Sequence, residues 1–228
     1  MSNFEDSIRD RAGGGETLYR VGVPSIGETY GRRWNASRGT GGLGTGVYAF
    51  TTREAADQNA DPDQEVFVLE NALSNPIKPG DFSTTVALND ASKESAKVIS
   101  RVRNGDTTYA DARMDPPRRL ERKARDVLFD TPDLRDRYGF DFDEFVRAWI
   151  DAAKTADMAQ QEAKPGTAVQ PINYLLYPEF DGVYPRGEAG ESGTYGAVIF
   201  KERIDECVDR TTERAERIPA SVLNDCFA

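Results

Sequence analysis

Short apolar or alternating runs stand at both ends of this chain, and the one long stripe of helical period lies between them. Leu18 to Val23 (L-Y-R-V-G-V) alternates until Pro24 stops it, the pattern of a strand. Val47 to Thr51 and Glu65 to Glu70 (E-V-F-V-L-E) read as two more strands, and Asn75-Pro76 breaks the second of these. In the middle, Phe142, Phe145, Val146, Trp149, Ile150 and Ala153 recur at helical spacing and predict a helix with a core-facing stripe. Asp90 to Val102 also reads as helical. Met114-Asp115-Pro116-Pro117 is a break, followed by a charged helix to about Phe129. Thr131-Pro132 has the form of an N-cap and first-turn proline, and Lys164-Pro165-Gly166 closes the helical region. The last third returns to strands: Tyr174 to Tyr177, a turn at Phe180-Asp181-Gly182 into Val183, and Gly196 to Phe200 (G-A-V-I-F). Residues 202–217 read as an amphipathic helix. Strands, then helices, then strands predict an α+β fold. Residues 1–16, with Gly13-Gly14-Gly15 near their end, read as a flexible arm. Residues 17–228 read as a single domain with a helical insertion near 105–165.

Composition narrows the chemistry. The chain of 228 residues has no histidine, which excludes Ser-His-Asp and Cys-His machinery and any imidazole base. Cys207 and Cys226 are its two cysteines, too few for a disulfide scaffold or a zinc site of their own, so no metal is expected. No apolar run approaches the roughly 18 residues that span a bilayer. The N-terminus lacks a signal-peptide core, so a cytoplasmic protein with no membrane partner is expected. The net charge is −10, and only seven of the 29 basic residues are lysines, a balance that suits a halophilic setting. That bulk charge opposes nonspecific nucleic-acid binding and leaves local basic patches open.

The residues that could carry chemistry cluster around Gly31 to Glu54. This stretch is a basic, glycine-rich loop that feeds the strand Val47 to Phe50. Mobile backbone amides and guanidinium groups both suit a bound phosphate. Gly39 to Gly44 matches G-x-G-x-x-G literally, but a strand follows it rather than a helix, so the dinucleotide fold of that fingerprint is not expected. Arg20 sits mid-strand, where a fixed guanidinium meets an anion or lies on a solvated face. Trp34 and Tyr48 offer rings to stack on a base, or serve as core. Thr51 offers a hydroxyl, and Thr51-x-x-Glu54 has capping-box spacing, which competes with a catalytic role for Glu54. In the loop Gly187 to Tyr195, Glu188 and Glu191 carry carboxylates and Ser192 a hydroxyl. A carboxylate there could steady an oxocarbenium-like centre, or it is one acid more on an acidic surface.

At these residues the chain resembles the ADP-ribosyltransferase superfamily. L-Y-R-V-G supplies Arg20, G-V-Y-A-F-T-T supplies Tyr48 and Thr51, and F-D-G-V-Y-P with G-T-Y-G-A-V-I-F resembles the late strands. The resemblance implies a split β-sheet core and an enzyme that cleaves the nicotinamide–ribose bond of NAD, its substrate. It places Arg20 and Glu191 as catalytic residues, with Glu54 a further candidate. Arg20, Trp34, Asn35, Tyr48, Thr51 and Ser192 would bind NAD. The family glutamate sits just ahead of the final apolar strand. Tyr195, Gly196 and Ala197 hold that place here, and Glu191 is the nearest carboxylate upstream. The L-Y-R, G-R-R-W-N and V-Y-P segments are similar to toxins of the RES domain branch, which destroy NAD as glycohydrolases or phosphorylases. The late segment reads Tyr184-Pro185-Arg186, so the serine of that branch is absent from its place and Ser192 is the nearest substitute. Such a toxin implies a neutralising antitoxin or immunity protein, and a transferase implies a protein or nucleic-acid acceptor. The competing expectation is a catalytically inactive binding module of the same fold, or a structural protein of a mobile element.

Overall fold

The computed structural model describes residues 16–22, 43–62, 64–163, 169–185 and 196–200. These form an α+β arrangement. β1 (Glu16–Gly22), β2 (Gly46–Ala49), α1 (Arg53–Gln58) and β3 (Glu65–Leu73) come first. A helical run follows: α2 (Phe82–Arg103), α3 (Tyr109–Met114), α4 (Arg118–Asp130), α5 (Pro132–Tyr138), α6 (Phe142–Glu162) and α7 (Pro171–Leu176). β4 (Gly182–Val183) and β5 (Ala197–Phe200) close the described chain. α2 begins at Phe82, ahead of the helical stretch expected from Asp90. β1 begins at Glu16, inside the stretch expected to be an arm.

β1 pairs antiparallel with β3, and a second sheet runs in the order β2-β5-β4, also antiparallel. One bridge joins them, in which Tyr19 and Phe50 exchange backbone hydrogen bonds of 2.9 and 2.7 Å; Ile77, past the end of β3, pairs with Val183. The three-stranded sheet is covered on both faces, which is why β2 and β5 read as continuous apolar runs. On one face Tyr48, Val183, Val198 and Phe200 pack against the helices. On the other, Val47, Ala49, Ala197 and Ile199 pack against Leu18 of β1 and Leu73 of β3.

The helical layer centres on α6, whose Phe145, Val146, Trp149, Ile150 and Ala153 are all buried. Their 3.6-residue recurrence presents one apolar face to α2, α4 and α7. Asp141 caps this helix through the Glu144 amide (2.9 Å), and Asp81 caps α2 through the Thr84 amide (2.7 Å). Pro132 takes the first turn of α5 as expected, although Thr131 makes no side-chain cap bond. The expected strand at Tyr174 to Tyr177 is instead helix α7. Pro171 opens it, and Ile172, Leu175 and Leu176 fall on one face at helical spacing against the core.

α1 starts one residue later than the capping-box spacing implied. Thr52, not Thr51, is its N-cap, accepting from the Ala55 amide at 3.2 Å. Thr52→Ala is therefore expected to destabilise the chain by about 1 kcal/mol, and Thr51→Ala to leave that cap intact. Urea unfolding of the two variants would separate the assignments. Equal losses would return the cap to Thr51.

Candidate functional site

Strand pairing decides which of the candidate residues meet. Tyr19 is bonded to Phe50, so Arg20 stands one residue beyond the point where β1 touches the end of β2. Ala49 is the register partner of Ala197, so the start of β5 lies beside that same end of β2. Thr51 follows Phe50 directly. Three distant stretches of chain thus meet: β1, the end of β2, and the entrance to β5 at Gly196. The antiparallel bridge sets Arg20 nearest Ala49 and leaves Leu18 on the Thr51 side.

Alternation within the strands assigns faces. Leu18 belongs to the cluster that contains Val47 and Ala49, and Arg20, two residues on, shares its face of β1. Tyr19 and Val21 turn the other way and pack with Phe50, Ala55 and Ala56. The Arg20 side chain is half-buried, as expected of a guanidinium set into a sheet rather than on an open surface.

Tyr48 does not join Arg20. It points to the opposite face of β2, into the helical core, and is 9% exposed. Its hydroxyl donates to the Gly44 carbonyl (2.6 Å) and accepts from the Leu43 amide (3.2 Å). Burial pushes that hydroxyl well above its ordinary range, so it remains protonated. The ring is core and the hydroxyl ties down the backbone that leads into β2. The expectation that Tyr48 flanks a base is therefore corrected. Glu54 lies exposed in the first turn of α1, where its carboxylate accepts from Gln58 (3.4 Å). A carboxylate there complements the helix dipole.

The same backbone has a second anchor that sequence reading missed. Asn173 of α7 is buried, and its Oδ1 accepts from the Thr45 amide (2.7 Å) while its Nδ2 donates to the Thr45 carbonyl (2.8 Å). Gly44 has φ of +114°, and a Cβ on it would fall 2.8 Å from Asn173 Oδ1, so both its backbone shape and its surroundings call for glycine. A Cβ on Gly46 would fall 1.9 Å from the Ile199 carbonyl oxygen. The glycines nearest the strand are thus required by close packing. Asp181 does similar work at the other edge of the sheet, ahead of β4. Its buried carboxylate accepts from the Ser74 amide (2.6 Å), the Ser74 hydroxyl (2.7 Å) and the Asn75 amide (3.1 Å), fixing the end of β3 beside β4. Tyr184, from V-Y-P, packs half-buried on the Leu18 cluster. Burial, and then the Glu16 carboxylate, raise its hydroxyl pKa.

Trp34, Asn35, Glu191 and Ser192 lie outside the described residues, as do the helix expected over 202–217 and both cysteines. Among the described residues, no group of three or more Cys, Asp or Glu side chains could hold a metal ion. No described helix is long and apolar enough to cross a membrane. Comparison with protein-family models, curated proteins and solved structures finds no match to this chain.

Proposed function

We propose that the chain has an ADP-ribosyltransferase-like split sheet and cleaves the nicotinamide–ribose bond of NAD. The observation that carries this reading is the convergence of Arg20, the end of β2 and the entrance to β5, made by the Tyr19–Phe50 and Ala49–Ala197 pairings. In this reading the Arg20 guanidinium clamps the pyrophosphate with paired charge-assisted hydrogen bonds. Thr51, and from the sequence Asn35 and Ser192, supply hydrogen bonds to the ribose and amide, and Trp34 stacks on a base. The C–N bond to nicotinamide breaks with its electron pair leaving on the ring nitrogen, which becomes neutral. Positive charge builds on the ribose, and a carboxylate stabilises it there. Glu191, five residues upstream of Gly196, is assigned that role. The acceptor is a nucleophile on a protein or nucleic acid in a transferase, and water or phosphate in an NAD-degrading toxin. A toxin would require a neutralising partner.

One feature favours a second reading, an inactive binding module. Gly196 and Ala197, at the entrance to β5, carry no carboxylate, and Ala197 is fully buried. The two readings part on one measurement. The purified chain is incubated with NAD and free nicotinamide is quantified. Release supports the enzyme, saturable NAD binding without release supports the module, and neither release nor binding rejects both.

A further inference from the structure

The charge of this chain is unevenly placed. Residues 93–125 carry ten basic and five acidic side chains, a net of +5, which leaves −15 on the remainder of a chain whose total is −10. Nine of these basic side chains fall on α2 and α4, which pack antiparallel; Arg113 falls on α3, and three of the five acids lie between the two helices. Arg119 reaches Glu94 at 3.9 Å, Lys123 reaches Asp90 at 2.8 Å, and Thr84 bonds Asp130 at 3.3 Å.

This packing aligns two cationic rows. Lys93, Lys97 and Arg101 follow one another at four-residue spacing on α2, about 6 Å apart along the axis. Arg118, Arg119 and Arg122 on α4 stand alongside the Lys93 end of that row, with the helix axes about 8–10 Å apart, and Lys97 and Arg101 extend it past the start of α4. All six side chains are exposed. Glu94 pairs with both Lys97 and Arg119, but its own side chain is only 16% exposed, so the acid sits beneath the cations rather than among them. Ala96 and Ser100, both exposed on α2 between these cations, keep the ridge low and open.

We infer that this α2–α4 ridge binds the phosphate backbone of a nucleic acid without reading its sequence. An acidic protein offers the same sign of charge, but protein interfaces centre on buried apolar anchors. Among the exposed large apolar side chains, Phe82 and Val86 lie on α2 ahead of Lys93 and Met114 lies ahead of α4, so they flank the two rows without entering them. A strongly positive surface whose centre is polar is the makeup of a nucleic-acid contact, and arginine forks match phosphate oxygens in pairs. The inference is independent of the NAD reading, and its test contains no NAD.

The test is fluorescence anisotropy of a labelled oligonucleotide, single-stranded and duplex, titrated with the full chain. If about four phosphates are neutralised, affinity should fall roughly 10²-fold between about 50 and 200 mM salt. Arg118→Glu with Arg122→Glu, and separately Lys97→Glu with Arg101→Glu, should each weaken binding at least tenfold and flatten the salt dependence. All four side chains are exposed, and circular dichroism would verify the fold. Arg53→Glu, on α1, should leave binding unchanged. Absence of binding at low salt would overturn the inference, as would equal weakening by Arg53→Glu or no effect of either double variant. Displacement of the oligonucleotide by polyglutamate at matched charge would overturn it in favour of an acidic protein partner.

Discussion

Arg20→Ala is expected to abolish release of nicotinamide from NAD while leaving the chain folded. The guanidinium is set mid-strand in β1, opposite Phe67 in the register, and beside the point where β1 meets β2. A pair of charge-assisted bonds to pyrophosphate at about 1.5–3 kcal/mol each corresponds to roughly 10²- to 10⁴-fold in kcat/KM. Arg20→Lys keeps the charge but loses the fork, so it should recover only part of that loss. Tyr48→Phe is the informative contrast. It removes the bonds to Leu43 and Gly44 and so lowers stability by about 1–3 kcal/mol, but it keeps a ring in the core. If Tyr48 flanked a base through its hydroxyl, the two variants would act alike on KM. The geometry expects Arg20→Ala to act on turnover and Tyr48→Phe mainly on unfolding. Turnover by Arg20→Ala at the level of the unmodified chain would remove the clamp.

What the sequence made legible follows from how each residue earns its position. Phe145, Trp149 and Ile150 are placed by period, and period is written in the order of residues. β2 and β5 are buried on both faces, so their short apolar runs are equally plain. The run Ile172 to Leu176 is not. A few apolar residues in a row fit a buried strand and a short helix equally well, and only Pro171 at the first turn tips the balance. The start of α2 was missed for a related reason. Its first apolar residues, Phe82 and Val86, are exposed, and the signal lay in the Asp81 cap ahead of them. Among the candidate site residues, Arg20 was legible as a charge in an alternating strand. Tyr48 was legible as important but not in its role, because which face it takes depends on β5 and the helices, far away in sequence. Asn173 and Asp181 left no pattern at all. Each is a single polar residue whose partners, Thr45 and Ser74, are more than a hundred positions away.

That same long reach makes Asn173 a sensitive tether. Asn173→Asp is expected to destabilise the chain by about 3–5 kcal/mol near neutral pH. The amide both accepts from and donates to Thr45 in a buried site, and an ionised carboxylate keeps only the accepting half. It turns its second oxygen toward the Thr45 carbonyl, placing charge against a dipole of the same sign with no water to relieve it. The sign of the pH dependence follows. Burial and the facing carbonyl raise the pKa of an aspartate at this position in the folded chain above its unfolded value of ~3.9. The variant is therefore closest to the parent below that unfolded value, where a protonated carboxyl donates to Thr45 as the amide did. It loses ground as pH rises through the folded-state pKa. Urea unfolding of parent and variant at matched pH values should show a gap that widens upward through the carboxylate range. A gap independent of pH would mean that position 173 is reached by water. Asn173→Ala supplies the control, since it leaves the Thr45 groups unpaired without adding a charge, and its deficit should be smaller and flat with pH. Because Thr45 lies between the basic, glycine-rich stretch and β2, NAD turnover should fall with the same pH profile as stability if that stretch helps to hold the dinucleotide.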